Sequence, residues 1–516
     1  MRRMFPSSRP ASSAPPSAFA DPWGIEKSGV TSRTRGCKPH GSLLRWRNGR
    51  DPPSQGDAMK PKNGLLSRRR VLGASAGAVA SFHLIPRHVL AAPGRPGAGD
   101  KLNIGCVGVG GMQGGTDTGG VSSQNIYALC DVDQRHLDKA AEKYKGAKLY
   151  RDFREMLDKE QKNLDAVTVT IPDHMHASVS IWAMERGLGV YCQKPLTQTV
   201  WEARQVALAA KKYKVATQMG NQGYSCEATR QACEIIWSGV LGDITEVHSM
   251  SGGGFARNVK EWPPAKPVPD YLNWDLWLGR TPEKPYGEGI HPINWRGFLD
   301  YGTQMIGDWG VHMLGPANWG LQLGSPTSVE CFAVEGVNPV TYPSYACRFE
   351  FPARPNPHVP GGKMPPLKLF WYEGSAVREF KPQEPVTAQD MKKNNTFYIG
   401  TKGCMGTGGR GESVTLLPES RMKDFQMPAP VIERVRGGHY GSWIQSVKDG
   451  KWTCSNFTVA GPYVEWLLLG AISWRFPNQK LLWDGAKMRF TNNDAANAFV
   501  KPTFRKGWEI KELKNL

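Results

Sequence analysis

The sequence predicts an α/β protein: a doubly wound parallel sheet, followed by an α+β domain on an open, mainly antiparallel sheet. Three observations predict this. Short apolar runs alternate with helical stretches from Lys101 to Met219, as successive βαβ units require. The first run ends in a cluster of glycines. Beyond residue 223, turn residues rather than helices separate the strand-like runs, which suits antiparallel pairing. The 516 residues exceed what one core usually supports, so domains are expected at 101–222 and 223–516.

The first strand, Lys101-Leu102-Asn103-Ile104-Gly105-Cys106-Val107, runs into Gly108-Val109-Gly110-Gly111-Met112-Gln113-Gly114. In such a turn Gly108 permits the sharp bend, Gly110 lets the backbone approach a pyrophosphate, and Gly114 allows close helix–strand packing. Gly111 and Met112 complete the loop, whose following helix offers free N–H groups to phosphates. The third glycine falls one residue later than in the common spacing. The second strand, Asn125–Cys130, ends in Asp131. An acid there accepts hydrogen bonds from ribose hydroxyls and repels a 2′-phosphate, so an NAD(P)-binding Rossmann domain that prefers NAD over NADP is expected. Asp133 caps the helix Gln134–Tyr144.

The β-branched run Leu164–Ile171 fits a buried parallel strand. It ends in Pro172-Asp173-His174-Met175-His176, before a helix expected over Ala177–Arg186. Strand Gly189–Cys192 ends in Gln193-Lys194-Pro195. Helix Val200–Tyr213 and strand Val215–Met219 lead to Gly220-Asn221-Gln222-Gly223. Pro195 holds Lys194 extended at a strand end, aimed into the cleft, where an ammonium group favours alkoxide character in a reacting hydroxyl. Later, Asp308 and His312 stand four apart in Ile306–Leu314 and so share one helical face. A histidine near neutral pH, oriented by a carboxylate, suits a general base. A metal half-site would need a third ligand, and none is evident, so no metal is expected.

In the second half, strand-like runs fall at Ile244–Met250, Ser328–Val334, Tyr345–Phe351, Lys368–Tyr372 and Phe397–Gly400. Two insertions, Pro263–Tyr271 leading into Trp274–Gly279, and Pro352–Pro366, are candidates to shape a site. Trp295, Tyr301 and Trp309 flank the Asp308/His312 segment and are candidate platforms for a flat ring, with core packing as the alternative. His439 opens a helix expected over Gly441–Lys448, either capping it or reaching the site. The apolar run Val464–Ile472 contains Glu465 and reads as a buried helix rather than a membrane span.

Gly108-x-Gly110, Asp131, Pro172…His176, Gln193-Lys194-Pro195 and Asp308…His312, in that order, resemble the glucose-fructose oxidoreductase / inositol dehydrogenase / MocA family. The resemblance covers essentially everything from residue 101 onward. It implies an N-terminal NAD(P)-binding domain and a C-terminal domain whose sheet carries the substrate site and often mediates dimer or tetramer formation. It further implies that Lys194, Asp308 and His312 are catalytic, that His176 borders the nicotinamide, and that Pro172, Gln193 and Asn221 lie along the cofactor. The sequence departs from the family at Gln193, where glutamate is usual, and at Gly220–Tyr224, where an arginine-rich stretch is common.

The +19 net charge is uneven: roughly 17 of 65 Lys+Arg but only 5 of 46 Asp+Glu fall in the first hundred residues. That leaves no basic folded face, so nucleic acid is not an expected partner. Ser67-Arg68-Arg69-Arg70-Val71-Leu72 precedes a small-residue apolar run to Ile85, with Ala91 or Ala92 at a plausible cleavage point. This pattern over 59–92 is that of a twin-arginine signal peptide, too short for stable membrane insertion. Residues 1–58, rich in Ser, Pro, Arg and Gly, read as disordered or as an upstream segment ahead of a start at Met59, and 93–100 as a linker. None of the ten cysteines forms a C-x-x-C pair, so a disulfide framework is not expected.

The sequence therefore predicts an exported, periplasmic oxidoreductase, delivered folded by the twin-arginine machinery. It would move a hydride between a sugar or cyclitol hydroxyl carbon and a tightly held NAD. Two alternatives remain: an NAD-dependent glycosidase working by transient oxidation and elimination, and a non-catalytic carbohydrate-binding protein on the same fold.

Overall fold

A computed structural model describes residues 101–513; the twin-arginine stretch, Met59 and the segment upstream lie outside the described residues. The N-terminal sheet contains β1 (Asn103–Val107), β2 (Asn125–Cys130), β3 (Lys148–Tyr150), β4 (Ala166–Val169), β5 (Gly189–Cys192) and β6 (Thr217–Met219). They lie in the order β3-β2-β1-β4-β5-β6, and every pairing is parallel. β4 and β5 are buried at every residue, as central strands must be when helices cover both faces. Chain order reverses between β1 and β4, and the strand ends there open a crevice.

The crossover helices begin and end where local chemistry dictates. Asp133 and Asp152 cap theirs by accepting the N–H groups of Arg135 and Arg154. Thr199 and Glu202 form a reciprocal capping box at the start of Val200–Tyr213. One helix start differs from expectation. The helix expected from Ala177 begins at Asp173, because Pro172, extended at φ −62° and ψ 146°, serves as its N-cap. His174 and His176 therefore occupy a buried first turn instead of a loop.

The second sheet contains β7 (Ile244–Ser251), β8 (Ser328–Glu335), β9 (Ser344–Phe351), β12 (Leu367–Glu373), β13 (Thr396–Gly400), β14 (Gly403–Thr407), β15 (Val414–Leu417), β16 (Leu481–Asp484) and β17 (Arg489–Phe490). Between β9 and β12 a separate ribbon pairs β10 (Arg354–Pro355) with β11 (Lys363–Met364). The strand order is β15-β14-β13-β7-β12-β9-β8-β16-β17. Only β7 and β12 pair in parallel; the rest are antiparallel. Helix Phe457–Ser473 backs this sheet and is almost wholly buried. Its Glu465 takes two hydrogen bonds of 2.6 Å from Arg204 on the first domain. No described helix is long and apolar enough to cross a membrane.

The two halves of the chain share their cores. Helix Gly438–Asp449 returns to the first sheet, and its Trp443, Ile444 and Val447 pack with Leu102, Ile104, Cys106 and Leu129. The Pro352–Pro366 insertion does not reach the crevice. Arg354 hydrogen-bonds the Leu321 carbonyl, and His358 stacks on Trp237 at 4.1 Å. All nine cysteines among the described residues are free.

Candidate active site

The crevice at the strand ends is lined by Gly108, Gly110, Gly111 and Met112 from the first turn, Asp131 and His136 from the second, and Pro172, Gln193 and Lys194 from β4 and β5. Gly108 lies at φ +80°, and a Cβ there would fall 2.1 Å from the Thr170 carbonyl oxygen. Gly114 is as confined: its Cβ would meet the Val109 backbone at 2.6 Å. Gly111, at φ +65°, has open space before it. The N–H groups of Gly111, Met112 and Gln113 find no hydrogen-bond partner among the described residues. Three unpartnered donors and an open glycine form a cradle for an anion. Asp131 Oδ2 accepts from Val109 and Gly110 N–H at 3.0 and 3.1 Å, which ties the end of β2 to that cradle. These residues fit a dinucleotide, with the pyrophosphate at the turn and the adenosine ribose at Asp131.

Lys194 lies at the inner end of the crevice. Its Nζ donates to Asp308 Oδ1 at 2.7 Å and to the Asp308 carbonyl at 2.9 Å. Arg296 Nε donates to the same Oδ1 at 3.3 Å. Burial alone would raise the Asp308 carboxyl, but Lys194 and Arg296 hold it below its usual range. The expected Asp308–His312 pairing is not formed. The helix breaks at Trp309 between Gln304–Asp308 and Gly310–Met313, so the two side chains do not share a continuous face. Asp308 serves the two cations instead, and the buried His312 Nδ1 has no hydrogen-bond partner. Burial, and then the charge of Lys194, push His312 well below the ordinary histidine range rather than leaving it poised near neutral pH.

Most of the other expected site residues do not reach the crevice. His176 braces its inner wall, with ring nitrogens 2.6 Å from the Pro195 carbonyl and 2.8 Å from that of Ile171. Burial lowers His176 to about 4. His439 sits inside the first turn of Gly438–Asp449, against Ser225 Oγ and the Met219 carbonyl, so it neither caps the helix nor lines the crevice. Asn221 is buried, with Oδ1 bonded to Ser455 and Nδ2 unpartnered. Tyr301 is fully buried among His174, Trp277 and Trp262, so it is core and not a stacking platform. Trp309 is half-buried beside Arg410, whose guanidinium lies 5.3 Å from its ring centre. Trp295 does line the crevice, with Arg296 over its ring at 4.3 Å.

From the insert after β7, Leu276, Trp277, Trp295 and His291 line the crevice and roof it, with His291 on the adenosine side; of these, His291 carries no local sequence signal. Backbone bonds from Gln134 N–H to the Tyr271 carbonyl and from Asn273 N–H to that of Val132 fasten the roof to the end of β2. His291 Nε2 adds a contact of 3.1 Å to Asp133 Oδ2. Asp133, His136 and His291 thereby bring three possible ligand atoms within 4.8 Å of one another. Both Asp133 oxygens are already taken by Arg135, which marks the group as a latch rather than a metal centre. Asp173, buried beneath the inner end, is raised by burial to about 7 and accepts the Thr303 hydroxyl at 2.7 Å.

Fold and crevice together define a class: a two-domain α/β protein with a dinucleotide groove ending at a lysine–aspartate pair. Residues 102–221 match the NAD-binding Rossmann fold of an oxidoreductase family, GFO_IDH_MocA, and residues 228–336 match the family's C-terminal alpha/beta domain. These two matches together take in somewhat less than half of the chain. It is 28% identical over 191 residues to the inositol 2-dehydrogenase of Salmonella typhimurium, covering 36% of this chain and 51% of that protein. To the D-glucoside 3-dehydrogenase of Escherichia coli it is 32% identical over 120 residues, or 23% of this chain and 33% of that one. The chain thus spans about half the length, or less, of these curated relatives. Among solved structures, the WlbA dehydrogenase of Bordetella pertussis, crystallised with NADH and UDP-GlcNAcA, has a TM-score of 0.50 at 14% identity. That alignment covers 74% of this chain and 99% of WlbA, and it shows a shared fold.

Proposed function

We propose that the protein is an NAD-dependent oxidoreductase acting on a hydroxyl-bearing carbon of a sugar or cyclitol. The observation that carries this reading is Lys194: it faces the groove at the end of β5, and its ammonium is held by Asp308. Bound there, NAD would accept or return the hydride. Lys194 would hydrogen-bond the reacting oxygen and favour its alkoxide form as the hydride leaves. His312, neutral at pH 7 and unpartnered at Nδ1, is free to take a proton. Asp308 holds Lys194 in place. Arg410 and Trp309, beside His312, offer a polar and a flat surface for a sugar ring. The names of the relatives, an inositol 2-dehydrogenase and a D-glucoside 3-dehydrogenase, support this substrate class.

The roof over the adenosine side supports a cofactor retained through turnover. Retention suits export by the twin-arginine route, because an exported enzyme meets no free NAD pool. It also keeps the glycosidase reading in play, since a trapped cofactor that is reduced and reoxidised within one cycle gives a redox-neutral product. Assembly into dimers or tetramers through the open sheet completes the proposal. The test begins with protein purified without added cofactor and denatured, its released nucleotide identified and quantified by mass spectrometry. Near-stoichiometric NAD directs the substrate search to glycosides and sugar pairs. An empty protein that also fails to bind added NAD removes the mechanism and leaves carbohydrate binding.

A further inference from the structure

Asp117 lies in the helix after the glycine turn, with no solvent exposure and no cation paired with it among the described residues. Its partners are neutral donors from four segments. They are Gln113 Nε2 at 3.2 Å, Thr170 Oγ1 at 2.7 Å, Gln193 Nε2 at 2.9 and 3.0 Å, and Tyr440 Oη at 2.6 Å. Burial raises the Asp117 carboxyl and these hydrogen bonds oppose the rise; as a carboxylate it only accepts, so each of the groups then turns a hydrogen inward. Three of them line the groove, and for Thr170 and Gln193, at its inner end, this fixes what they present to a ligand. Thr170 Oγ1 has spent its hydrogen on Asp117 and can only accept. Gln193 aims one of its two amide hydrogens between the Asp117 oxygens, which fixes which end of the amide is the acceptor: Oε1 takes the Lys194 N–H at 3.2 Å and retains a second lone pair. A glutamate at 193 would set two carboxylates about 3 Å apart in a buried site, a strongly unfavourable arrangement. The residue pair is therefore matched: an acid at 117 requires an amide at 193.

We propose that Asp117 is a positioning residue. Through Thr170 and Gln193 it makes the inner end of the groove an acceptor surface that selects the hydrogen-bond donors of the dinucleotide's nicotinamide half. Those donors are the ribose hydroxyls and the carboxamide NH₂. β4 and β5 carry this end of a doubly wound sheet, opposite the adenosine acid at β2. The proposal rests on the dinucleotide reading above, and the test separates the two. Calorimetry on the folded protein, freed of nucleotide, compares NAD with ADP, which lacks the nicotinamide half. Asp117→Asn and Gln193→Glu are each expected to weaken NAD at least tenfold while leaving ADP within twofold. The double variant Asp117→Asn/Gln193→Glu, which exchanges acid and amide, is expected to recover NAD affinity to within threefold. Thr170→Val, close in volume, gives a milder loss of about fivefold for NAD alone. Unchanged NAD affinity in the single variants, equal losses of NAD and ADP, or no recovery in the double variant overturns the proposal. Failure of the wild-type protein to bind either nucleotide overturns the dinucleotide reading instead.

Discussion

Lys194 and Asp308 are joined by a 2.7 Å ion pair with both side chains largely shielded from water, and this pair is where single changes act hardest. Lys194→Ala should lower kcat about 10²–10⁴-fold while leaving NAD affinity nearly unchanged, read by steady-state kinetics beside direct NAD titration. A comparable loss of NAD binding would make Lys194 a cofactor anchor and not a proton donor. Gly108→Ala tests the turn. Its new Cβ would fall 2.1 Å from a backbone oxygen at a residue already at φ +80°, so loss of NAD binding, or of several kcal/mol of stability, is expected by titration and thermal melting. Because His312 is held well below the usual histidine range, kcat/KM should show no acid limb between pH 6 and 8. A limb near the ordinary histidine value would show that burial and Lys194 do not hold His312 down. At this scale the strand-end residues were legible in the sequence, since glycines, Asp131 and Lys194 follow their strands directly. The partners of Asp117 were not. Gln193 and Tyr440 reach it from 76 and 323 residues away, and no local pattern announces such contacts.

Among the elements, the insert between β7 and β8 is marked in the sequence by its prolines and tryptophans, but where it docks is not. Its helix Trp274–Leu278 and the loop around His291 are short and irregular, so neither a 3.6- nor a 2-residue period marks them. Their function follows from what they cover. Removing the latch with His291→Ala should speed NAD release about tenfold and leave kcat with saturating NAD close to wild type, as measured by stopped-flow displacement. Unchanged release would mean that the backbone bonds at Tyr271 and Asn273 hold the roof by themselves. Five strands of the first sheet are legible because their apolar runs are continuous, whereas β3, a three-residue edge strand at Lys148–Tyr150, is not. β14 and β15 were missed: Gly403-Cys404-Met405-Gly406-Thr407 has two glycines in five residues, and β15 is a four-residue edge strand. Where helix starts were placed too late, at Ala177 and Gly441, a Pro172 cap and a left-handed Gly437 stood where a loop was expected.

For the whole molecule, buried histidines set the acid limit. His176 and His439 are each lowered by burial to about 4, and His174 to about 3. The unfolded chain binds protons at these positions from near pH 6.5 downward, while the folded chain does not. Stability is therefore full above about pH 6.5 and falls as pH drops toward 4, with His176 and His439 each worth about 3 kcal/mol across that window. Thermal melts from pH 7 to 4 should show this slope, and it should lessen in His439→Gln. A flat profile would mean that these sites take up protons while folded.

Helix Gly438–Asp449 completes the core of a sheet that begins at residue 103. A ribosome releases the glycine turn early and the helix that seats Trp443 against Leu102 more than 300 residues later. During that interval the nascent nucleotide site has an open apolar flank and lacks the Tyr440 hydroxyl that steadies Asp117. Cofactor loading is thus expected late in the life of each new chain, and a chain truncated before Tyr440 is expected to carry every glycine of the motif yet fail to hold the ligand they imply.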